Sequence, residues 1–295
     1  MVPNAPGSGY DITARTVATA LDISGIRRGV EVFNLPGGQG TVGLQRLVYE
    51  RGNAALMMLM GLGLIGAQLK FPPTQPIHTV ITPIARLIEE PEVVVVTPDS
   101  PLRRLDDLVK AWATDPSSIV VGGGSSPGGP DHLAPMLMAK AIGIPPAQVR
   151  YARHDGGGAL LAAILARQVT FAVSSMGEYA SHIRAGQLRV LAITSDTVTS
   201  GMRARGVEAP TLRETGLDVV FANWRGLVAP PGLAAEDEEA LRHLVASLER
   251  CAQWREAIDA HGWAGAYLAG DDFGAFLGRE RQRVDQILKE LGVVP

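Results

Sequence analysis

Apolar positions along the chain follow two rhythms, short β-branched runs and longer stretches with helical spacing, and glycine gathers where one gives way to the other. The run over residues 119–121 ends in GGGSSPGG, after which Pro130 and Asp131 open a helical stretch, HLAPMLMAKAIG, reaching Ile142. A strand, a glycine-rich turn and a helix N-terminus make an anion cradle. Glycine lets the backbone approach a ligand, and first-turn N–H groups have no partner inside the helix. The front of the chain repeats the arrangement: VPNAPGSGYDITAR, residues 2–15, is a Gly/Pro turn entering an amphipathic helix over residues 10–21. Ile12, Val17 and Leu21 share a face of it, and Asp11 lies in the first turn, where the helix dipole favours an acid. Two such turns suggest one ligand held from two sides.

The same patterning predicts a strand at 30–35, a third Gly-rich turn at 36–43, a helix at 44–51 and a buried strand at 55–60. Residues 61–66 spell G-x-G-x-x-G. Pro72 and Pro73 cut the following helix short, and no acid ends a second strand about 20 residues on, so a dinucleotide site is set aside. Strands follow at 82–87 and 92–97, the second continuous enough to be buried in a mixed or parallel sheet. Ser100 as N-cap and Pro101 as first helical residue start LRRLDDLVKAWATDP. Then come strands at 148–152, 169–174, 188–194 and 219–222, alternating with helices at 159–167 and 179–185. A strand-like crossing at 223–231 leads to two helices near 235–260 and 271–291. This β-α alternation means open α/β sheets. It predicts an outer domain of residues 1–99 and 223–295, an inserted middle domain of 100–222, and a ligand cleft between them. Each domain is expected to be an open, mostly parallel sheet flanked by helices.

Composition narrows the function. The 295 residues, 46% hydrophobic and 19% charged, build a globular chain of one large or two ordinary domains. A net charge of -3 without a basic run argues against nucleic acid. The single cysteine, Cys251, cannot close an internal disulfide, and no Cys/His spacing suggests zinc. No apolar run approaches the ~20 residues of a membrane span. No signal peptide precedes Val2, and no strand leads into the first turn. The expectation is an N-terminal truncation that has removed a first strand and any export signal.

Several residues carry competing readings. Gly124-Ser-Ser-Pro-Gly128 matches G-x-S-x-G between a strand and a helix, with Ser126 as an esterase nucleophile and His154, His182, His243 or His261 as base. Pro127 has no N–H for an oxyanion hole, and a residue before proline is pushed toward extended backbone, so the elbow is disfavoured. Asp11 reads as a first-turn acid rather than a ligand contact, because a carboxylate repels a carboxylate. His132 is either pocket wall or helix-start packing. His154 and Asp155 either bind a polar distal group or solvate a loop, with the pocket favoured. Trp224 is pocket wall, hinge or core, whereas Trp112, Trp254 and Trp263 read as helix packing. Arg15, Arg86, Arg150, Arg153 and Arg225 are possible counter-ions, Arg153 and Arg225 foremost.

Taken in order, VPNAPGSGYDITAR, VEVFNLPGGQGTVG, VVGGGSSPGGPDHL, LRVLAITS, PTLRETG and NWRGLVAPPG resemble the solute receptors of tripartite tricarboxylate transporters, the TctC-like or Bug-type extracytoplasmic binding proteins. Each motif is weak alone; six in order are specific. The resemblance implies a two-domain Venus-flytrap fold of the periplasmic-binding-protein type, secreted or lipid-anchored and a monomer. Its ligand would be an organic acid (a tricarboxylate, dicarboxylate, aromatic acid or amino acid) delivered to membrane transporter subunits. It implies no catalysis, cofactor or metal. The family grips a carboxylate with backbone N–H groups and ordered water from two turns. Here these fall on Ala5, Pro6, Gly7, Ser8, Gly9 and Tyr10, and on Gly124, Ser125, Ser126, Pro127, Gly128 and Gly129. His154, Asp155 and Trp224 complete the expected site. The Tyr-Lys-Gly segment of many members, which helps line the pocket, is Tyr151-Ala-Arg-His-Asp-Gly-Gly-Gly here. The rival readings are a serine hydrolase using Ser126 and a flytrap sensor domain without a transporter.

Overall fold

A computed structural model of the chain describes residues 1–70, 76–204 and 206–294. Its elements in chain order begin with α1 (Gly9–Ile23), α2 (Thr41–Tyr49), β1 (Met58–Gly61), α3 (Leu62–Lys70) and β2 (Thr82–Val96). Next are α4 (Leu105–Thr114), β3 (Val120–Gly123), α5 (Pro130–Ala141), β4 (Arg150–Arg153), α6 (Gly156–Leu165), β5 (Phe171–Ser175), α7 (Met176–Arg184) and β6 (Arg189–Ile193). The chain closes with α8 (Ser200–Ala204), β7 (Ala222–Ala229), α9 (Ala235–Arg250), α10 (Ala252–His261), β8 (Ala264–Ala269) and α11 (Gly270–Glu290). It divides into two compact units, Met1–Glu89 with Trp224–Gln286, and Glu90–Asn223 with Ile287–Pro295.

In the first unit β1 pairs antiparallel with β7, from Met58 opposite Val228 to Gly61 opposite Arg225. β7 neighbours β2, whose first half pairs antiparallel with β8. Leu59, Ile84, Ile88 and Leu227 project from these strands into a core closed by Val17 and Leu21 of α1 and by Leu248, Trp254 and Trp263. Apolar residues spaced three and four apart on α1 put one face into this core and leave the rest to water.

In the second unit β3 pairs parallel with both β4 and β5. The second half of β2 runs antiparallel to β5 and to β6. Val93, Val95, Leu160, Ile164, Ala172, Met176 and Ile193 form its core. The mostly parallel sheets expected from the sequence are therefore a correction, although the mixed sheet expected for the EVVVVT run is present. Strands joined through the crossover helices α5 and α6 must be parallel. β2 enters the sheet from the other direction, and its ladders with β5, β6 and β8 are antiparallel.

Other differences have local causes. The two strands expected at 82–87 and 92–97 are one strand of 15 residues. Pro91 is tolerated inside it because it falls between the ladder with β8, which ends at Glu89, and the ladder with β5, which begins at Glu92. The strand expected at 30–35 makes only an isolated bridge, Val2 to Asn34, and leaves Phe33 48% exposed. No ladder forms at 219–221. Ser100 does not cap α4, which starts at Leu105; there Asp107 accepts from the N–H groups of Arg103 and Arg104. The helix expected at 235–260 breaks at Cys251, whose extended backbone caps α10. The proline break expected after the third helix lies outside the described residues.

Candidate functional site

The first turn is built around Asp11. Gly7 adopts φ 78°, a left-handed conformation that suits glycine, and its N–H donates to Asp11 Oδ2 at 2.9 Å. Ser8 caps α1, its Oγ accepting from the Asp11 N–H at 3.3 Å, while its own N–H donates to the Ala5 carbonyl at 3.2 Å. Asn34 Nδ2 donates to Asp11 Oδ1 at 2.9 Å, and Arg15 Nε donates to both carboxylate oxygens. Burial pushes the Asp11 carboxyl up, but Arg15, the Gly7 N–H and Asn34 outweigh it and hold the group below its usual range. Among the described residues the N–H groups of Gly9 and Tyr10 meet no protein acceptor. Behind them lies Arg225, 2% exposed, donating through Nη1 to Thr13 Oγ1 at 3.0 Å. A Cβ on Gly9 would overlap the Arg225 guanidinium, so the close approach needs glycine. The Tyr10 ring turns inward against Gly61. Burial pushes its hydroxyl up to about 12, against the pull of Arg225 and the N–H groups of Leu64, Gly63 and Gly61.

The second turn has the same outline and a different interior. The Gly124 N–H donates to Asp131 Oδ2 at 2.8 Å. Asp131 is 6% exposed, faces the hydroxyls of Ser174 and Ser125, and is raised by burial, which these hydrogen bonds only partly offset. The Gly128 N–H donates to His132 Nδ1 at 3.3 Å, and the Gly129 N–H to the Ser126 carbonyl at 2.8 Å. Among the described residues, Ser125 and Ser126 are the ones in this turn whose N–H groups meet no protein acceptor, since Pro127 has no N–H. The neighbouring strand end is tied to it: His154 N–H donates to the Gly123 carbonyl at 2.9 Å, and Gly156 N–H to the Gly124 carbonyl at 3.0 Å. Tyr151 donates to the Ser125 carbonyl at 2.8 Å and Tyr179 to the Gly157 carbonyl at 3.1 Å. Burial raises both phenols, helped by the charge of Asp131. A Cβ on Gly157 would overlap the Glu178 carboxylate, which covers the start of α6.

Over residues 29–293 the sequence matches the family described as "Tripartite tricarboxylate transporter family receptor", TctC. The chain belongs to this receptor family. It is 26% identical to Protein BugT of Bordetella pertussis, with 99% of this chain and 88% of that protein aligned. Its fold is that of periplasmic binding proteins. BugD superposes with a TM-score of 0.85 at 19% identity, covering 99% of this chain and 96% of that one. An R. palustris protein with adipate superposes with a TM-score of 0.86 at 20% identity, covering 100% and 97%. No helix among the described residues is long and apolar enough to cross a membrane.

Within this receptor chain the sequence-predicted residues divide clearly. Ala5, Pro6, Gly7, Ser8, Gly9 and Tyr10 form one turn in the first unit. Gly124, Ser125, Ser126, Pro127, Gly128 and Gly129 form the other in the second unit, beside His154, whose Nε2 is buried without a partner. Asp155 points to solvent and pairs with exposed Arg153. Trp224 packs edge-on against Phe273 and Phe276, its Nε1 donating to Glu280 at 2.8 Å, which is a core role. His132 takes the helix-start role, edge-on to Tyr151. No hydrogen bond joins Ser126 Oγ to a histidine among the described residues. In the G-x-G-x-x-G segment α3 starts directly after Gly61, where a Cβ would already lie 2.9 Å from the Tyr10 hydroxyl, leaving no room for a pyrophosphate. Of the five candidate arginines only Arg225 is buried. The sequence reading overlooked the buried Asp131. The signal was there: an acid two residues into a helix that follows a glycine turn, as at Asp11.

Proposed function

We propose that this receptor-family chain captures a small organic acid outside the cytoplasm and delivers it to a tripartite tricarboxylate-type membrane transporter, as a monomer and without chemistry of its own. The observation that carries the reading is the start of α1. There the Gly9 and Tyr10 N–H groups lack protein acceptors and a buried guanidinium lies behind Gly9. Unsatisfied first-turn N–H groups backed by positive charge favour a carboxylate. The outer domain (1–99 with 223–295) and middle domain (100–222) of the sequence reading would each contribute one turn, with His154 beside the second. The presence of adipate in the R. palustris relative supports the same ligand class.

Native mass spectrometry of whatever co-purifies, followed by a thermal-shift panel, tests the reading. A carboxylate at a hundred times its Kd stabilises by about 2.7 kcal/mol, so di-, tri- or aromatic acids are expected among the hits. Stabilisation by sugars or nucleotides alone would overturn it. Hydrolysis of p-nitrophenyl esters that Ser126→Ala abolishes would favour the hydrolase instead.

A further inference from the structure

The open N–H groups of the second turn are aimed from behind, through the carbonyls of the same peptides. A trans peptide points its C=O and its N–H in opposite directions, and the described residues include no cis bond. Three successive carbonyls of the turn are held by the segment that runs from β4 into α6. The His154 N–H donates to Gly123 at 2.9 Å, the Gly156 N–H to Gly124 at 3.0 Å and the Tyr151 hydroxyl to Ser125 at 2.8 Å. The N–H groups across those peptides, on Gly124, Ser125 and Ser126, therefore face away from that segment. Asp131 takes the first, and the other two meet no protein acceptor among the described residues. The ties on Gly123 and Gly124 are made by backbone and continue the parallel pairing of β3 with β4. The tie on Ser125 is made by a side chain, and among the described residues no other donor reaches that carbonyl. The Tyr151 ring has a fixed seat. It lies against Gly123, where a Cβ would overlap the hydroxyl, and His132 packs edge-on to it with ring centroids 4.9 Å apart. Burial, helped by the charge of Asp131, raises the phenol, so it remains a donor through the neutral range.

We infer that Tyr151 is a positioning residue of the receptor: by holding the Ser125 carbonyl it turns the Ser126 N–H toward the bound carboxylate. This rests on the receptor reading above. Without the hydroxyl, the peptide between Ser125 and Ser126 has no tie on its carbonyl and its plane is free to rotate. Rotation replaces the donor by a carbonyl oxygen, which repels a carboxylate. The Ser125 N–H keeps its direction, because the Gly124 carbonyl across that peptide is held by Gly156 and not by Tyr151. The two donors of one turn are thus set independently, one by backbone and one by a phenol 26 residues away in sequence.

Calorimetry and amide NMR at neutral pH with succinate, adipate, citrate and benzoate test this on the wild-type chain and on Tyr151→Phe. The substitution keeps the ring against Gly123 and His132 and deletes the hydroxyl alone. Affinity for each of these acids that binds the wild type is expected to fall on the order of tenfold, the low end of what one hydrogen bond to a charged acceptor is worth. In the wild type the amide protons of Ser125 and Ser126 should both move downfield on binding. In Tyr151→Phe the Ser126 movement should be lost and the Ser125 movement kept. A merely structural role would disturb the two amides together, so their joint loss would overturn the inference. Persistence of the Ser126 movement in Tyr151→Phe, at whatever affinity, would overturn it while the receptor reading survives. A Ser126 amide that does not respond in the wild type would overturn it whatever the variant does, including failure to fold. If the wild type binds none of the four acids, the carboxylate reading falls and takes the inference with it.

Discussion

Two turns in this chain solve the same backbone problem with opposite electrostatics. Each joins an apolar segment to a helix, and each anchors a glycine N–H on an aspartate of the first helical turn, Gly7 on Asp11 and Gly124 on Asp131. Asp11 is surrounded by donors, including Arg15, and its carboxyl is held below the ordinary range. Asp131 faces hydroxyls and, among the described residues, no cation, and burial raises it. The comparison teaches that a glycine-rich turn at a helix N-terminus is not by itself an anion site. What matters is which N–H groups the protein's own carboxylates have already taken, and whether those carboxylates are neutralised.

The sharpest way to break the comparison is Asp11→Ala. It removes the charged acceptor for the Gly7 N–H, Asn34 and Arg15 together. The expected loss is about 2–3 kcal/mol of stability, read by urea unfolding. An unchanged midpoint would mean that Ser8 and Ala5 alone hold the turn. Next, Gly9→Ala pushes a methyl into Arg225, which is buried and bonded to Thr13 and so cannot swing away. Overpacking of this kind costs roughly 1–3 kcal/mol, and circular dichroism melting would show it. A wild-type melt would mean that the guanidinium yields easily and does not support the turn.

The two aspartates also predict opposite pH responses. Asp11, lowered in the folded chain, contributes stability that is complete above the ordinary carboxylate value of about 3.9 and is lost as pH falls through its own lower value. Asp131, raised in the folded chain, makes the native state bind its proton more readily than the unfolded state. Stability therefore declines as pH rises from that ordinary value through the raised one. Urea unfolding of wild type and Asp131→Asn across this range should show the wild type losing ground to the variant as pH increases. A constant difference would show that Asp131 ionises as easily folded as unfolded. The smallest effect is expected for Ser126→Ala, which keeps every N–H; affinity for the identified ligand should stay within about twofold. A tenfold loss by calorimetry would move recognition from backbone to hydroxyl.

The glycine turns, helix starts and α/β alternation were legible because backbone requirements write themselves as Gly, Pro and periodic apolar residues. Both turns fall where the sequence reading places them. Which N–H groups remain available was not legible, because the acceptors that take them lie up to seven residues away and depend on tertiary placement. For the same reason a proline at Gly128 would not simply delete a ligand donor. Its N–H already serves His132, and its φ of 92° is one that proline cannot adopt. Trp224 illustrates the general limit. An aromatic on a crossing strand reads alike as wall or core until the residues against it, Phe273, Phe276 and Glu280, are known. β8 was missed because AGAYLA has little β-branched character and becomes a strand only by pairing with β2.

The split make-up of the first unit sets an order of assembly during synthesis. Thr13 meets Arg225 across 212 residues of chain, and Thr16 meets His261 across 245. Neither contact can form until the chain has been synthesised through Arg225 and His261 respectively. Residues 90–223 already hold β3, β4, β5 and β6 with their helices. This unit can therefore condense while residues 1–89, including the first glycine-rich turn, wait for their C-terminal partners. Contacts of such sequence separation slow folding and prolong the exposure of apolar strands such as β1. The nascent chain is most vulnerable to aggregation at its N-terminal segment, which is also where Gly9 and Tyr10 must come to rest on Arg225.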